Sequence, residues 1–505
     1  MSFELLYPDR AYHEELPPDP SFSALLAETG LADYLPRDAA GLFTSDPEVI
    51  RYRSGLICEL SENEKLLAAV DTLAKLSAEF SETASHLRLS SRENPVHLLV
   101  ESASAYVRFV EEASEAFQNV GDIGNTALSA TASGLAEDRR SREFQELRKN
   151  LTRARVDLLH ARSMTIGVNL GGDLKPVEAG VVSINSEPFL SDNVIDRLMR
   201  LDFDKGGFHC MAPLSAAEKT LDYEERLRLD GAVTAAVEKL CSESLKRAVR
   251  RFSAHTAKKL SVYLRLGREA EFLSGACGLI MRLRKIGMNC TRAEVTDGEY
   301  SLKGLYDPAL ALIYGDTAKD RIVANDITFD DSGKIYILTG PKSGGKTVFL
   351  RALEASQVMF RLGLPVPAVS AKMPVVGNVL TLFPRGETSG NMSGRLEEEC
   401  RSAADMLDRC HSDSLVLCDE MFSSTGAADG VQLAVGVLSR LGKIGCRCVF
   451  STHLSGLGER LADTDGVDTL SAELDNGQRT YRILRGETET KSDALTIAQK
   501  YGLGK

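Results

Sequence analysis

One stretch constrains this chain more than any other. Lys334-Ile335-Tyr336-Ile337-Leu338 is a short apolar run, Gly340-Pro341-Lys342-Ser343-Gly344-Gly345-Lys346-Thr347 comes after it, and the helical run Val348 to Phe360 comes next. The middle segment meets the pattern G-x-x-x-x-G-K-[ST] in full, in the strand–loop–helix context that separates a working phosphate-binding loop from a chance match. Glycines let successive backbone N–H groups turn inward around a triphosphate at a helix N-terminus, where the dipole favours anions. Gly340, Pro341, Lys342, Ser343, Gly344 and Gly345 are therefore expected to line a nucleotide. Lys346 is placed to reach its β and γ phosphates, and the Thr347 hydroxyl to ligate Mg²⁺.

About 70 residues on, Ser414-Leu415-Val416-Leu417-Cys418-Asp419-Glu420 is an apolar run ending in two acids. Turns favour acids, so the pair alone says little; after a complete phosphate loop it says more. Asp419 is expected to hold Mg²⁺ through water, and Glu420 to orient or deprotonate the attacking water. A third run, Cys448-Val449-Phe450-Ser451, ends in Thr452-His453. His453 is read as a γ-phosphate sensor at the strand C-termini where α/β ligands bind, the alternative being a structural histidine. Such short runs, apolar on both faces and alternating with helices, predict a parallel sheet covered by helices from about residue 295.

At 505 residues the chain is several domains long. With 43% hydrophobic and 26% charged residues it is not disordered, collagenous or membrane-embedded. Sixty Lys+Arg against 72 Asp+Glu leave a net charge of −12, so nucleic-acid contact would need local basic patches. The ten cysteines are scattered with no C-x-x-C pair and read as thiols, not as a zinc site. Met1 to Pro20 contains no apolar leader core and no stretch is long enough to span a bilayer, which predicts a cytoplasmic protein without a membrane partner.

From about 56 to 294 the apolar period is helical. Leu99, Ala103, Tyr106, Val110, Ala113 and Phe117 recur at spacings of 4, 3, 4, 3, 4, a heptad seam. Leu66, Val70, Leu73, Leu76 and Phe80 form another; Phe144, Leu147, Leu151, Ala154 and Leu158 a third; Val233 to Leu260 a fourth. Two alternating stretches, Met164 to Leu170 and Gly180 to Ile184, flank the turn Gly171-Gly172-Asp173. They predict a β-hairpin near 164–187, either a functional tip or a patch on the helical body. Residues 1–55, rich in turn signals, read as an N-terminal extension packed on the adjoining region of the chain. The fold class is thus α + α/β: a long-helix domain over 56–294, then a P-loop α/β domain over 295–505.

The motifs together resemble the ATPase domain of the MutS family. Asn325-Asp326-Ile327, a dozen residues, then Thr339 to Thr347 meet the family pattern, succeeded by Asp419-Glu420, Thr425, Asp429-Gly430 and Ser451-Thr452-His453. Thr480-Tyr481-Arg482-Ile483-Leu484 and then Ser492 to Leu503 are similar to the closing strand and helical dimerisation segment. The resemblance covers about 300–505; the long helices match the family's core and lever helices in position only. It implies ATP with Mg²⁺, Asn325 in the nucleotide site, an ABC-like ATPase fold, and a homodimer with composite sites. In the family a loop containing Ser-x-x-x-x-Glu completes the neighbour's site. Ser393-Gly394-Arg395-Leu396-Glu397-Glu398 occupies that place, with Ser393 as the trans γ-phosphate contact; a helix N-cap is the alternative. Arg395 stands where the family has Phe, facing the neighbour's phosphates or solvent.

The chain departs from the family pattern elsewhere. Lys342 replaces an Asn, Phe422-Ser423-Ser424-Thr425 replaces Gly-Arg-Gly-Thr, and Ile322-Val323 replaces the aromatic adenine platform. The short stretch before the helices is expected to leave no room for a mismatch-reading head. Two Phe-x-Glu triplets, at Phe80 and Phe144, fall on helical seams and read as core. Three readings compete. The first is an ATP-switched, arm-based clamp on double-stranded or branched DNA in repair or recombination, without direct mismatch reading, with a repair protein as further partner. The basic helical stretches Arg148, Lys149, Arg153, Arg155 and Arg247, Arg250, Arg251, Lys258, Lys259 are either its phosphate contacts or solvated faces. The second is a DNA-independent, ATP-switched dimer that binds a protein partner. The third, an ABC or chromosome-maintenance ATPase, lacks its Leu-Ser-Gly-Gly-Gln run.

Overall fold

The computed structural model describes residues 5–7, 20–85, 96–159, 163–173, 176–185, 187, 243–384, 394–462, 464–475 and 478–486. Ser393, Cys210, Cys241 and the Ser492–Leu503 segment lie outside them, as do the side chains of residues 153–159 and 243–261.

In chain order the elements begin with helices α1 (Pro20–Glu28), α2 (Pro47–Glu62), α3 (Glu64–Ser85), α4 (Val96–Gln118), α5 (Thr126–Arg140) and α6 (Arg142–Leu159). Strands β1 (Ser163–Leu170) and β2 (Pro176–Asn185) and the long helix α7 (Glu243–Lys285) come after them. Next come β3 (Glu294–Thr296), β4 (Tyr300–Leu305), α8 (Pro308–Tyr314), α9 (Ala318–Arg321), β5 (Asn325–Phe329), β6 (Ile335–Thr339), α10 (Lys346–Arg361), β7 (Ser370–Pro374) and β8 (Val379–Leu382). The chain continues with α11 (Arg395–Arg409), β9 (Leu415–Asp419), α12 (Ala427–Ile444), β10 (Arg447–Ser451), α13 (Leu457–Leu461), β11 (Val467–Asp475) and β12 (Gln478–Arg485). The chain separates into two compact units, one holding residues 68–270, the other 4–67 and 271–505.

The helical unit is built on the seams. Leu99, Ala103, Tyr106, Val110, Ala113 and Phe117 are all buried, as are Val70, Leu73, Leu76, Phe80, Phe144, Leu147 and Leu151. Phe80 and Phe144 are each at most 2% exposed, inside an aromatic cluster with Tyr106, Phe109 and Tyr263 whose ring centroids lie 5.0–6.1 Å apart. Both Phe-x-Glu triplets are therefore core. Tyr263 donates its hydroxyl to Asp138, a polar bond within that apolar cluster. α3 and α7 approach closely at Gly267, where a Cβ would overlap Ser77, whose hydroxyl bonds the Tyr263 carbonyl at 3.2 Å. The helix α5 begins because Asn125 caps it, accepting from the amides of Ala127 and Leu128. β1 and β2 pair antiparallel around the Gly171–Asp173 turn, with Val168, Leu170 and Val182 exposed.

The second unit contains two sheets. A six-stranded sheet has the order β12-β11-β6-β10-β9-β8, all neighbours parallel except β11 and β12. Its core strands Leu415–Asp419 and Ile335–Leu338 are buried on both faces, which is why they read as continuous apolar runs. The apolar faces of α11, α12 and α13 pack with β6, β9 and β10 in one cluster that includes Cys410, Cys418, Cys446 and Cys448. These four, with Cys58, Cys277, Cys290 and Cys400, are free thiols. A four-stranded sheet, β3-β7-β4-β5, leads into the larger one through the Asp330–Gly333 turn. Within the N-terminal segment the buried Arg53 donates to the carbonyls of Leu6 and Leu42, and Arg361 joins that segment to the rest of the unit by donating to the carbonyls of Thr44 and Val376. Among the described residues no helix is long and apolar enough to cross a membrane.

Candidate nucleotide site

The loop 340–345 leaves β6 and enters α10 through three left-handed residues, Gly340 (φ 133°), Ser343 (φ 61°) and Gly345 (φ 92°). Gly340 is required for space as well as backbone freedom, since a Cβ there would lie 2.7 Å from that of Ala472. At Gly345 the nearest outside group is the Tyr481 ring, 3.5 Å from an added Cβ. Gly345 is the N-cap of α10 and offers no side chain to its first amides, so those donors are left for a ligand or solvent.

Strand register sets the rest. Leu338 on β6, Ser451 on β10 and Asp419 on β9 lie at one level of the sheet, so loop and acids meet at the strand C-termini. Thr347 donates its hydroxyl to Asp419 Oδ2 at 2.7 Å. The other oxygen of Asp419 is buried and accepts no hydrogen bond from the described residues, and the same holds for the Ser451 hydroxyl. Lys346 is only 4% exposed. Its Nζ donates to the carbonyls of Gly340 and Pro341, each at 3.0 Å. Burial pulls its pKa down; Glu420 and Asp419 oppose that pull, and Lys342 adds to it. Glu420 is next along the chain, with a left-handed backbone (φ 51°) and its amide bonded to the Ser451 carbonyl at 2.9 Å.

Beside the loop lies a cavity of about 490 Å³. Ser343, Gly344, Gly345, Lys346, Thr347 and Glu420 form one wall; Tyr314, Arg321, Ile322, Val323, Asn325 and Tyr481 form part of the other. Asn325 fastens that second wall. Its amide donates to the Tyr481 carbonyl at 3.2 Å and its oxygen accepts from the Ile483 amide at 2.7 Å. Tyr481 is held at φ 60° and is half exposed. Arg321 stacks on Tyr314, 3.9 Å from the ring centroid.

The structure thus brings together Asn325, Ser343, Gly344, Gly345, Lys346, Thr347 and Glu420 around one cavity, with Asp419 bonded to Thr347 behind it. Gly340 and Pro341 serve through their carbonyls. Lys342 is exposed on the loop, and His453 is exposed two residues past β10, outside the cavity lining. Ser393 lies outside the described residues, and the N-cap of the next helix is Gly394. Tyr314, Arg321 and Tyr481 carry no sequence motif that marks them as site residues. Their only local signal, an Ile322-Val323 pair where an aromatic is usual, says that a platform is missing and not where another comes from.

A parallel sheet, a glycine-rich loop opening a helix, and acids at the neighbouring strand end define an α/β fold of the kind that holds phosphate groups at strand C-termini. Residues 336–504 match MutS domain V. The chain is similar to a DNA mismatch repair protein MutS from Thermosipho melanesiensis, 28% identical over 291 residues, 56% of this chain and 33% of that protein. It is also similar to a MutS from Prochlorococcus marinus, 30% identical over 190 residues, 37% and 21% of the two chains. An Endonuclease MutS2 from Streptococcus uberis is 32% identical over 184 residues, 36% and 24%. The matches thus span a third or less of those relatives' lengths. The likeness to the MutS family rests on the C-terminal part of this chain, where residues 336–504 match its domain V.

Proposed function

We propose that the chain is an ATPase of the MutS family that binds ATP with Mg²⁺ and couples its hydrolysis to DNA contact in repair or recombination. The observation that carries the reading is the Thr347–Asp419 bond beside the buried Lys346. It sets a hydroxyl, an orphaned carboxylate oxygen and an ammonium group at the mouth of one glycine loop. The donor set fits a small hard cation: the second Asp419 oxygen has a free acceptor site, and a hydroxyl plus a water-bridged carboxylate suits Mg²⁺.

Each residue then has a task. The loop amides and the start of α10 receive phosphate oxygens. Lys346 exchanges its two carbonyl partners for the β and γ phosphates and neutralises their charge. Thr347 and Asp419 would hold Mg²⁺, which when bound supplies charge stabilisation to the departing phosphate. Glu420 orients a water and takes its proton; His453, at the end of the adjacent strand, reads the γ-phosphate. Tyr481 and the Ile322-Val323 edge offer apolar surface to a base. The resemblance adds paired copies of the chain, with Ser393 of one completing the site of the other.

Lys346→Ala is expected to abolish binding of a fluorescent ATP analogue, and Glu420→Gln to keep binding while turnover falls by about a hundredfold or more. Normal hydrolysis by Glu420→Gln removes the base assignment. DNA contact is tested by anisotropy with duplex and branched oligonucleotides across a salt series, with and without ATP. Binding that weakens steeply with salt and changes with ATP is expected. Absence of binding even at low salt favours the second reading, an ATP-switched dimer for a protein partner. One observation leans that way: Arg148, in a basic stretch, is ion-paired with Glu111 at 2.7 Å.

A further inference from the structure

Two of the segments in which the chain departs from the MutS family's pattern meet at a single carboxylate. Ser424, in the loop after the paired acids, donates its hydroxyl to Glu399 Oε2 at 2.9 Å. Arg395, at the start of α11, lies 3.5 Å from Glu399 Oε1. The Glu399 side chain is 18% exposed, whereas Arg395 is 59% exposed. The same helix carries a second i,i+4 pair, Arg401–Glu397 at 3.2 Å, both members exposed. No hydrogen bond from that pair reaches another element among the described residues. The Arg395–Glu399 pair differs because its carboxylate leaves the helix to hold a loop.

That loop has little freedom of its own. Glu420 and Phe422 both take left-handed backbone (φ 51° and 58°), a conformation that non-glycine residues keep only when their surroundings enforce it. Phe422 is 1% exposed, and its carbonyl faces Gly430, where a Cβ would lie 3.0 Å away. The Glu420 amide is fixed to Ser451. Between the Phe422 anchor and α12 the Ser424–Glu399 bond is the tie from this loop to α11. We propose that Glu399 is a positioning residue: it fixes the loop 421–426, and with it Glu420, to the N-terminal part of α11. Arg395, on the other oxygen of the same carboxylate, helps hold that side chain in place. The proposal rests on the hydrolytic reading for its effect on turnover, and on geometry alone for the tie itself.

Two measurements separate these. In nucleotide-free protein, Glu399→Ala is expected to speed hydrogen exchange at the amides of 422–426 by about tenfold, with α12 unchanged. Glu399→Gln, whose carbonyl still accepts from Ser424, is expected to restore most of the protection, and the control Arg401→Ala to change nothing. In turnover assays Glu399→Ala and Ser424→Ala should each lower kcat by about tenfold while ATP affinity stays within about twofold, short of the hundredfold of full misplacement. The double variant should be no slower than either single one. Unchanged exchange in Glu399→Ala overturns the tie. Additive losses, or losses in affinity instead of kcat, overturn the positioning role. If the wild-type chain does not turn over ATP, the hydrolytic reading fails and the exchange experiment alone decides whether the tie exists.

Discussion

At the scale of single residues, the most unusual group beside the site is one that the chemistry does not use. Glu354, two turns into α10, is fully buried beside the carboxyl of Glu28, to which it hydrogen-bonds when protonated. Burial first, then the nearby charges of Glu28 and Asp307, push its pKa up to about 8 against an opposing pull from Arg351. The folded chain thus keeps a proton that the unfolded chain gives up near 4.5. More protons are bound folded than unfolded in that window, so stability falls as pH rises from about 4.5 to about 8, then levels off. The slope is up to ~1.4 kcal/mol per pH unit. Urea midpoints at pH 5, 6.5 and 8 should fall in wild type and flatten in Glu354→Gln; parallel curves for both would exclude Glu354 as the source. Glu354 was not legible in the sequence because Leu353 and Ala355 flank it in an ordinary amphipathic pattern. Lys346, Thr347, Asp419 and Glu420 were legible, because a phosphate loop is a local motif and the paired acids end an apolar run of their own.

At the scale of elements, the cavity wall depends on an edge strand. β12 is the outermost strand of its sheet and carries Tyr481, while Arg485 clamps its far end. Arg485 bonds both oxygens of Asp330 at 2.6 and 3.0 Å and Asp468 at 2.5 Å, and lies over the Tyr336 ring. This guanidinium holds the Asp330 carboxyl well below the usual carboxylate range. Exposed pairs contribute little to global stability, so Arg485→Ala is expected to leave the melting temperature nearly unchanged. Its effect should fall on the nucleotide. With β12 loosened, Tyr481 loses its fixed place beside Gly345, and affinity for an ATP analogue should fall by about threefold to tenfold, roughly 1 kcal/mol. Titration of Arg485→Ala beside Tyr481→Ala checks this, and unchanged affinity in both removes Tyr481 from the site. Of this wall only Asn325 was expected, from the resemblance; Tyr314, Arg321 and Tyr481 were not readable from the chain. Asn325 reaches Tyr481 across 156 positions, and no local period encodes such a contact. The helical seams are the opposite case: Leu99 through Phe117 are buried as their spacing predicts, because a heptad pattern declares its own buried face.

At the scale of the whole molecule, two cores imply two cooperative units. The helical unit gathers around Phe80, Tyr106, Phe109, Phe144 and Tyr263, and the other around the parallel sheet. Arg361 joins the N-terminal segment to the sheet-bearing unit through a bond to the Thr44 carbonyl, 317 positions away, so no sequence pattern marks that segment's allegiance. A ligand bound to one folded unit stabilises that unit by RT ln(1 + [L]/Kd), about 2.7 kcal/mol at a hundredfold excess over Kd. Calorimetry of the full chain should therefore show two transitions, with Mg²⁺ and a non-hydrolysable ATP analogue moving one of them upward. Hydrogen exchange identifies which: added protection should appear in β6, α10 and β9 while the amides of α4 and α5 keep their rates. Lys346→Ala should abolish the shift and leave both ligand-free transitions in place. If the ligand instead moves both transitions together in wild type, and α4 and α5 gain protection, the two cores are coupled on nucleotide binding. That outcome makes the long helix α7, which runs through the division at residue 270, the first element to test for transmission.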